Sequence, residues 1–196
     1  MSNKPRQRLD VEARRAQLLA IGSELFATNP YDDVWIDDVA AKADVSRGLL
    51  YHYFGSKRGF LHAVIEHETR AILAATTPDP SLAPDQRLQA SIDGYLDYVS
   101  THPHGYRAIF RGAVSADERV RELVDDNLRR QEQRILAAFS GDDEPSERLR
   151  LAIHGWLASL IAIVLDWLDR PTVDRAEIRD LAMSTLHASV AAAQTR

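Results

Sequence analysis

Apolar residues recur at three- and four-residue steps along almost the whole chain, and β-branched alternation is absent outside three short Thr and Val clusters. A strand-built core has nothing to form from, so the sequence predicts an all-α protein. The pattern divides into about nine helices, expected at Asp10–Ala27, from Trp35 or Ile36 to Ala43, at Arg47–Phe54 and Lys57–Ala75, then at roughly 86–101, 104–113, 117–139, 146–169 and 174–194. The breaks between them are Asn29-Pro30-Tyr31-Asp32, Asp44-Val45-Ser46, Gly55-Ser56, Thr76 to Pro84, His102-Pro103, Ser115-Ala116, Gly141 to Pro145 and Arg170-Pro171. Ser46 and Ser56 stand where helix N-caps belong. No repeat or low-complexity tract is present.

At 196 residues, 45% of them hydrophobic and 27% charged, the chain has the balance of a folded soluble protein. Cysteine is absent, which excludes a disulfide scaffold, a Cys-zinc site and a thiol nucleophile together. Met1 to Glu12 is polar, unlike a signal peptide, and the longest run without a charge that is almost wholly apolar, Trp156 to Leu165 with Ser159 inside it, is ten residues. A spanning helix takes about 20. The expectation is a cytoplasmic protein with no membrane segment. The net charge of −5 is unevenly spread: residues 1–62 carry nine Lys/Arg against eight Asp/Glu, and residues 63–196 carry fifteen against twenty-one. An acidic protein can still grip phosphate where its cations gather on one face.

Two short helices joined at Asp44-Val45-Ser46 have the form of a helix-turn-helix, whose second helix enters the DNA major groove. Leu50 and Phe54 lie one turn apart and face inward with Val45, Ile36, Val39 and Ala40. Gly48 and His52 then point outward, flanked by Leu49 and Tyr51. Gly permits close approach, Leu can meet a thymine methyl, and His and Tyr can bond base edges or phosphate. Arg47 at the helix N-terminus and Lys57 at the start of the next helix suit phosphate. On spacing alone, a tight corner of a helical bundle remains an equal reading.

The residues IDDVAAKADVSRGLLYHYFGSKRGF resemble the DNA-binding domain of the TetR family of bacterial transcription regulators. The resemblance lies in Val39-Ala40, Val45-Ser46, Tyr51-His52-Tyr53-Phe54 and Ser56-Lys57, and covers about residues 10–65. It implies a helix-turn-helix head over residues 1–56 and a helical effector-binding and dimerisation domain over 57–196. It places DNA contacts on Ser46, Arg47, Gly48, Leu49, Tyr51, His52, Tyr53 and Lys57. Three positions depart from the family pattern. Asp44 replaces a turn glycine, Leu49 stands where Thr is frequent, and Val34-Trp35 replaces a hydroxyl-bearing pair before the second helix. The last removes a cap and a phosphate contact, for which the Trp35 Nε1–H can substitute. Lys4, Arg6, Arg8, Arg14 and Arg15 form a basic stretch that reaches phosphate or is a solvated tail.

In the remainder, Leu149, Ile153, Trp156, Leu160, Ile163 and Trp167 form a seam at alternating four- and three-residue steps. Leu151, Leu157, Ile161, Val164 and Leu168 cover other faces of the same helix, so more than one face must be buried. The resemblance implies a four-helix homodimer interface, expected at Ile153, Trp156, Leu160, Ile163, Trp167, Ile178, Ala182, Leu186 and Ser189; a monomer core is the alternative. It also implies a pocket for a small, lipophilic effector, expected near Tyr95, Tyr98, His102, Tyr106, Phe110 and Trp156. The His102-Pro103-His104 loop and the His62–Glu66 pair have the spacing of weak metal ligands, read here as structural, so no metal or cofactor is expected. The chain has no GxSxG elbow, phosphate loop or HExxH helix, which argues against an enzyme. The expected partners are an operator duplex, a second copy of the chain and an effector. The expected function is repression relieved by that effector, with activation or a loss of DNA binding as alternatives.

Overall fold

A computed structural model describes residues 10–29, 33–111, 117–141 and 143–195. Lys4, Arg6 and Arg8, the break at Pro30 to Asp32 and the break at Ser115-Ala116 lie outside them. Among the described residues there are nine α-helices and no strand: α1 (Val11–Thr28), α2 (Ile36–Lys42), α3 (Arg47–Phe54), α4 (Lys57–Ala75), α5 (Pro84–Thr101), α6 (Pro103–Arg111), α7 (Glu118–Ser140), α8 (Glu147–Asp169) and α9 (Arg175–Gln194).

Side-chain caps set most of the starts. Asp10 accepts from Ala13 N at 2.7 Å, Ser56 from Gly59 N at 2.9 Å, Ser146 from Leu149 N at 3.2 Å and Asp174 from Glu177 N at 2.9 Å. α5 begins two residues before its expected start because Pro84 occupies its first turn, where a missing N–H is no loss.

The helices enclose two apolar cores. The first joins Leu18, Leu19 and Phe26 of α1, Ile36 and Val39 of α2 and Leu50 of α3 to Phe60, Leu61, Val64 and Ile65 of α4. Gly22 lets α1 and α4 meet, since a Cβ there would stand 2.6 Å from the Phe60 ring. Val120 of α7 completes this core, with Ala108 and Ile109 of α6 packed on it. The head core thus reaches past residue 56 into α4, α6 and α7. The second core is formed by Ile92, Leu96 and Val99 of α5, Tyr106 of α6, Leu136 of α7, and the inner faces of α8 and α9. α6 belongs to both cores, with Ala108 and Ile109 on the head side and Tyr106 and Phe110 on the other.

Candidate functional site

The turn between α2 and α3 follows from its hydrogen bonds. Val45 N donates to Ala40 O at 3.0 Å and Asp44 N to Ala41 O at 3.2 Å, the pairing that ends a helix through one left-handed residue. That residue is Asp44, at φ 52°, where the family pattern has glycine. Asp tolerates this region better than most side chains, so the turn is kept. Ser46 then caps α3, accepting from Leu49 N at 3.3 Å.

α3 turns Leu50 fully inward, and the Phe54 ring meets Phe60 edge-on with centroids 4.9 Å apart. Ser46, Arg47, Gly48, Tyr51 and His52 are exposed on the opposite side, while Leu49, Tyr53 and Lys57 are half-buried. Arg47 lies along this face, 3.3 Å from Asp37 and donating to the Tyr51 hydroxyl at 3.3 Å. The Tyr51 hydrogen bond, with Asp37 behind it, raises the Arg47 pKa above its ordinary value. Gly48 is not required by the fold: a Cβ there would meet nothing nearer than Ser46 Oγ at 3.9 Å. Glycine inside a helix costs roughly 0.5–1 kcal/mol against alanine, and nothing among the described residues explains it. Beside α3, Trp35 is 59% exposed, and Lys57 Nζ sits 4.6 Å from the centre of its ring. Together these residues form a surface with hydrogen-bond donors, cations and open space over Gly48, suited to a duplex groove and its phosphates.

A second feature lies between α4, α5, α6 and α7. It is a cavity of about 40 Å³ lined by Glu68, Thr69 and Ile72, by Tyr98, by Gly105, Tyr106, Ile109 and Phe110, and by Val124, Asn127 and Leu128. Of the residues expected at a pocket, Tyr98, Tyr106 and Phe110 line it. Tyr95 stands behind, its hydroxyl bonded to that of Tyr106, and His102 stacks on Tyr98 at 4.4 Å. Trp156 does not belong to it: its Nε1 donates to Ala182 O at 3.0 Å, between α8 and α9. Burial pushes the Tyr95, Tyr98 and Tyr106 phenols well above their ordinary pKa, so all three remain neutral donors. Sequence reasoning named no lining residue of α4 or α7, because it followed aromatic residues rather than the inward faces of those helices.

α4 and α7 are tied at both ends. Asp117 caps α7, accepting from Arg119 N at 2.9 Å, and its Oδ2 also accepts from Arg58 at 2.8 Å and lies 3.0 Å from His62 Nε2. Further along, Asn127 donates to Thr69 O at 2.6 Å, Gln131 to Thr76 Oγ1 at 2.8 Å and Arg134 to Leu73 O at 2.9 Å. His62 therefore serves this junction and does not pair with Glu66, which binds Arg70. Among the described residues no cluster of metal-ligating side chains occurs.

The hydrogen bonds from His62 and Arg58 hold the Asp117 carboxyl well below the usual carboxylate range. A depressed pKa contributes stability above the unfolded value, about 3.9, and loses it as pH falls toward the folded one. Asp117→Asn is expected to lower stability at pH 6 by about 1–3 kcal/mol. The gap between parent and variant melting temperatures should close below about pH 4. A gap that stays constant from pH 6 to pH 3 would show that the charge contributes nothing.

The seam expected to face a partner is largely covered within the single chain. Ile153, Trp156, Leu160, Ile178, Ala182 and Leu186 are all at most 6% exposed within a single chain, because α8 and α9 pack these faces on each other and on α5. Ile163, Trp167 and Ser189 are half-buried, with Trp167 Nε1 bound to Val173 O at 2.8 Å and Ser189 to Thr185 O at 2.8 Å. The outward surface is a different one, including Leu151 at 55% and Leu181 at 46% exposure. By length and composition α8 is also apolar enough to cross a membrane, contrary to the expectation from its ten-residue run, and 28% of that stretch is buried inside the chain.

Comparisons with known proteins agree with this geometry. A family model described as "Bacterial regulatory proteins, tetR family" matches residues 18–64, and one described as "Tetracyclin repressor-like, C-terminal domain" matches residues 84–189. The chain is 28% identical over 174 residues to the HTH-type transcriptional activator FasR of Mycolicibacterium smegmatis, covering 86% of this chain and 80% of that one. It is 32% identical over 155 residues to the HTH-type transcriptional regulator BetI of Burkholderia mallei, covering 76% and 78%. A tetR-family transcriptional regulator from Streptomyces coelicolor superposes with a TM-score of 0.87 at 28% identity, covering 94% of this chain and 83% of that one. With the head and the C-terminal domain both matched, and the recognition helix presented as the head requires, the chain belongs to the TetR family of DNA-binding transcription regulators, a family that is not enzymatic.

Proposed function

We propose that the protein is a homodimeric repressor, held on a palindromic operator by two α3 helices and released when a small effector enters the cavity between α4 and α7. The observation that carries the release mechanism is the double membership of α6. Tyr106 and Phe110 reach the cavity, Ala108 and Ile109 pack on the head core, and a Cβ at Gly105 would lie 3.7 Å from the Phe26 carbonyl of α1. A cavity of about 40 Å³ has space for a few waters, whereas small-molecule sites run to roughly 300 Å³ or more. An effector must therefore part the helices, and α6 and α4 carry that displacement to the head. Release follows if the effector prefers a head spacing that mismatches the operator.

In this reading, residues 1–56 read DNA and residues 57–196 bind the effector and the partner. Ser46, Arg47, Gly48, Leu49, Tyr51, His52, Tyr53 and Lys57 contact the duplex, with Trp35 holding Lys57 beside it. The partner covers the outward faces of α8 and α9, and so sets the recognition helices about 34 Å apart, one turn of DNA. Such a regulator works in the bacterial cytoplasm, where its operator is.

Selection of bound duplexes from a random pool by the purified protein tests the DNA reading. A single palindrome is expected, and Tyr51→Ala should weaken binding to it by about 10–100-fold, the range of a lost base or phosphate contact. Recovery of no preferred sequence would sink it. Activation is the second reading, supported by the likeness to an activator, FasR. A reporter with the operator placed over or upstream of the promoter separates the two: repression predicts expression that falls when the protein is supplied.

A further inference from the structure

The polar groups of the cavity are unevenly committed. Tyr98 donates its hydroxyl to Glu68 Oε2, and the Tyr106 and Tyr95 hydroxyls bond each other. Thr69 Oγ1 donates to Glu66 O at 3.1 Å, and Asn127 Nδ2 to Thr69 O at 2.6 Å. Each of these groups thus already has a protein partner, the Tyr95–Tyr106 pair spending one of its two O–H groups and Asn127 one of its two N–H groups. The Glu68 carboxylate is the reverse case. It offers about four lone-pair sites, and among the described residues it accepts one hydrogen bond, from Tyr98. Among the described residues no Lys, Arg or His lines the cavity, and Glu68 is the one formally charged group there. Around it stand the rings of Tyr98, Tyr106 and Phe110.

We propose that the effector is an organic cation, a quaternary or protonated amine on an apolar body, whose charged head meets Glu68 while its body lies against Tyr98, Tyr106 and Phe110. This rests on the reading of the cavity as the effector site. A carboxylate or phosphate ligand is opposed by the charge of Glu68, with no Lys, Arg or His among the described lining residues to offset it. A neutral lipophile fits the apolar wall but offers nothing to the remaining lone pairs of the carboxylate. A cation satisfies the carboxylate and gains from the electron-rich ring faces. Tyr98 reinforces the choice, since a phenol donating to Glu68 fixes the carboxylate in place before the ligand arrives.

The test uses the full chain and two sets of probes matched in body and differing in charge. Benzyltrimethylammonium is set against its uncharged carbon isostere neopentylbenzene, and decyltrimethylammonium against decanoate, all below their micelle concentrations and read by calorimetry. The cations should bind at least about tenfold more tightly than their counterparts. Glu68→Gln, which keeps the volume and an acceptor for Tyr98, should remove that advantage, with circular dichroism verifying the fold. Equal or tighter binding of neopentylbenzene or decanoate, blocked by Val124→Trp, overturns the cation class and leaves the effector cavity standing. Undiminished cation binding by Glu68→Gln also overturns it. Binding of none of the four probes overturns both the cation class and the assignment of the cavity to an effector.

Discussion

Gly59→Ala is expected to cost about 3 kcal/mol or more of stability and to reduce operator binding to the level of random DNA. Gly59 stands in the first turn of α4, where its N–H caps onto Ser56 Oγ at 2.9 Å. A Cβ at that position would lie 2.1 Å from the carbonyl oxygen of Phe54, the last residue of α3. A backbone carbonyl has no flexible end to swing aside, so α3 and α4 must separate. The same corner holds Leu50 and Phe54 in the head core and aims Arg47, Tyr51 and His52 outward. Its displacement is therefore lost packing and lost register at once. Gly48→Ala provides the contrast. With open space at its Cβ, it should raise stability by about 0.5–1 kcal/mol while weakening DNA binding, because the added methyl stands only in the way of a duplex. Melting curves and fluorescence anisotropy on the selected operator measure both quantities. If Gly59→Ala kept the parent melting temperature and affinity, the corner would be softer than its contacts indicate.

How far the sequence disclosed this arrangement depended on whether a feature was local. α3 and α4 begin and end where expected, because Ser46, Gly55 and Ser56 determine their own surroundings within three or four residues. The turn at Asp44 was equally legible, and its left-handed backbone follows from the way α2 ends. The cavity was half legible. Tyr98, Tyr106 and Phe110 announced themselves as aromatics close in sequence. Glu68, Asn127 and Leu128 did not, since α4 and α7 meet across some sixty residues of chain and no local rule places one against the other. What covers the seam of α8 was not legible for a related reason. A spacing of three and four residues says that one face is buried, but not whether the cover comes from the same chain or another. Here α9 supplies it, through contacts such as Trp156 Nε1 to Ala182 O. The proposed dimer surface is therefore placed on the residues the seam leaves over.

That distinction yields the other large effect. Trp156→Ala removes a side chain that is 5% exposed and hydrogen-bonded inside the α8–α9 pair, and should cost about 3–5 kcal/mol. For a chain of this size the melting temperature would drop by about 10 °C. Leu181→Arg acts on the opposite side of α9, where the leucine is 46% exposed in the single chain. Placing a charge there should leave the fold intact, within about 0.5 kcal/mol for the isolated chain. In an assembly it would put an unpaired cation against an apolar partner surface, and sedimentation should find monomers. Concentration separates the two defects. A folded dimer is stabilised by mass action, so the parent melting temperature should rise with protein concentration, as should that of Trp156→Ala at its lower level. For Leu181→Arg it should not change with concentration. Operator affinity should fall with it, since one head reaches only one half-site. A Leu181→Arg protein that sediments as a dimer would move the interface away from this face of α9.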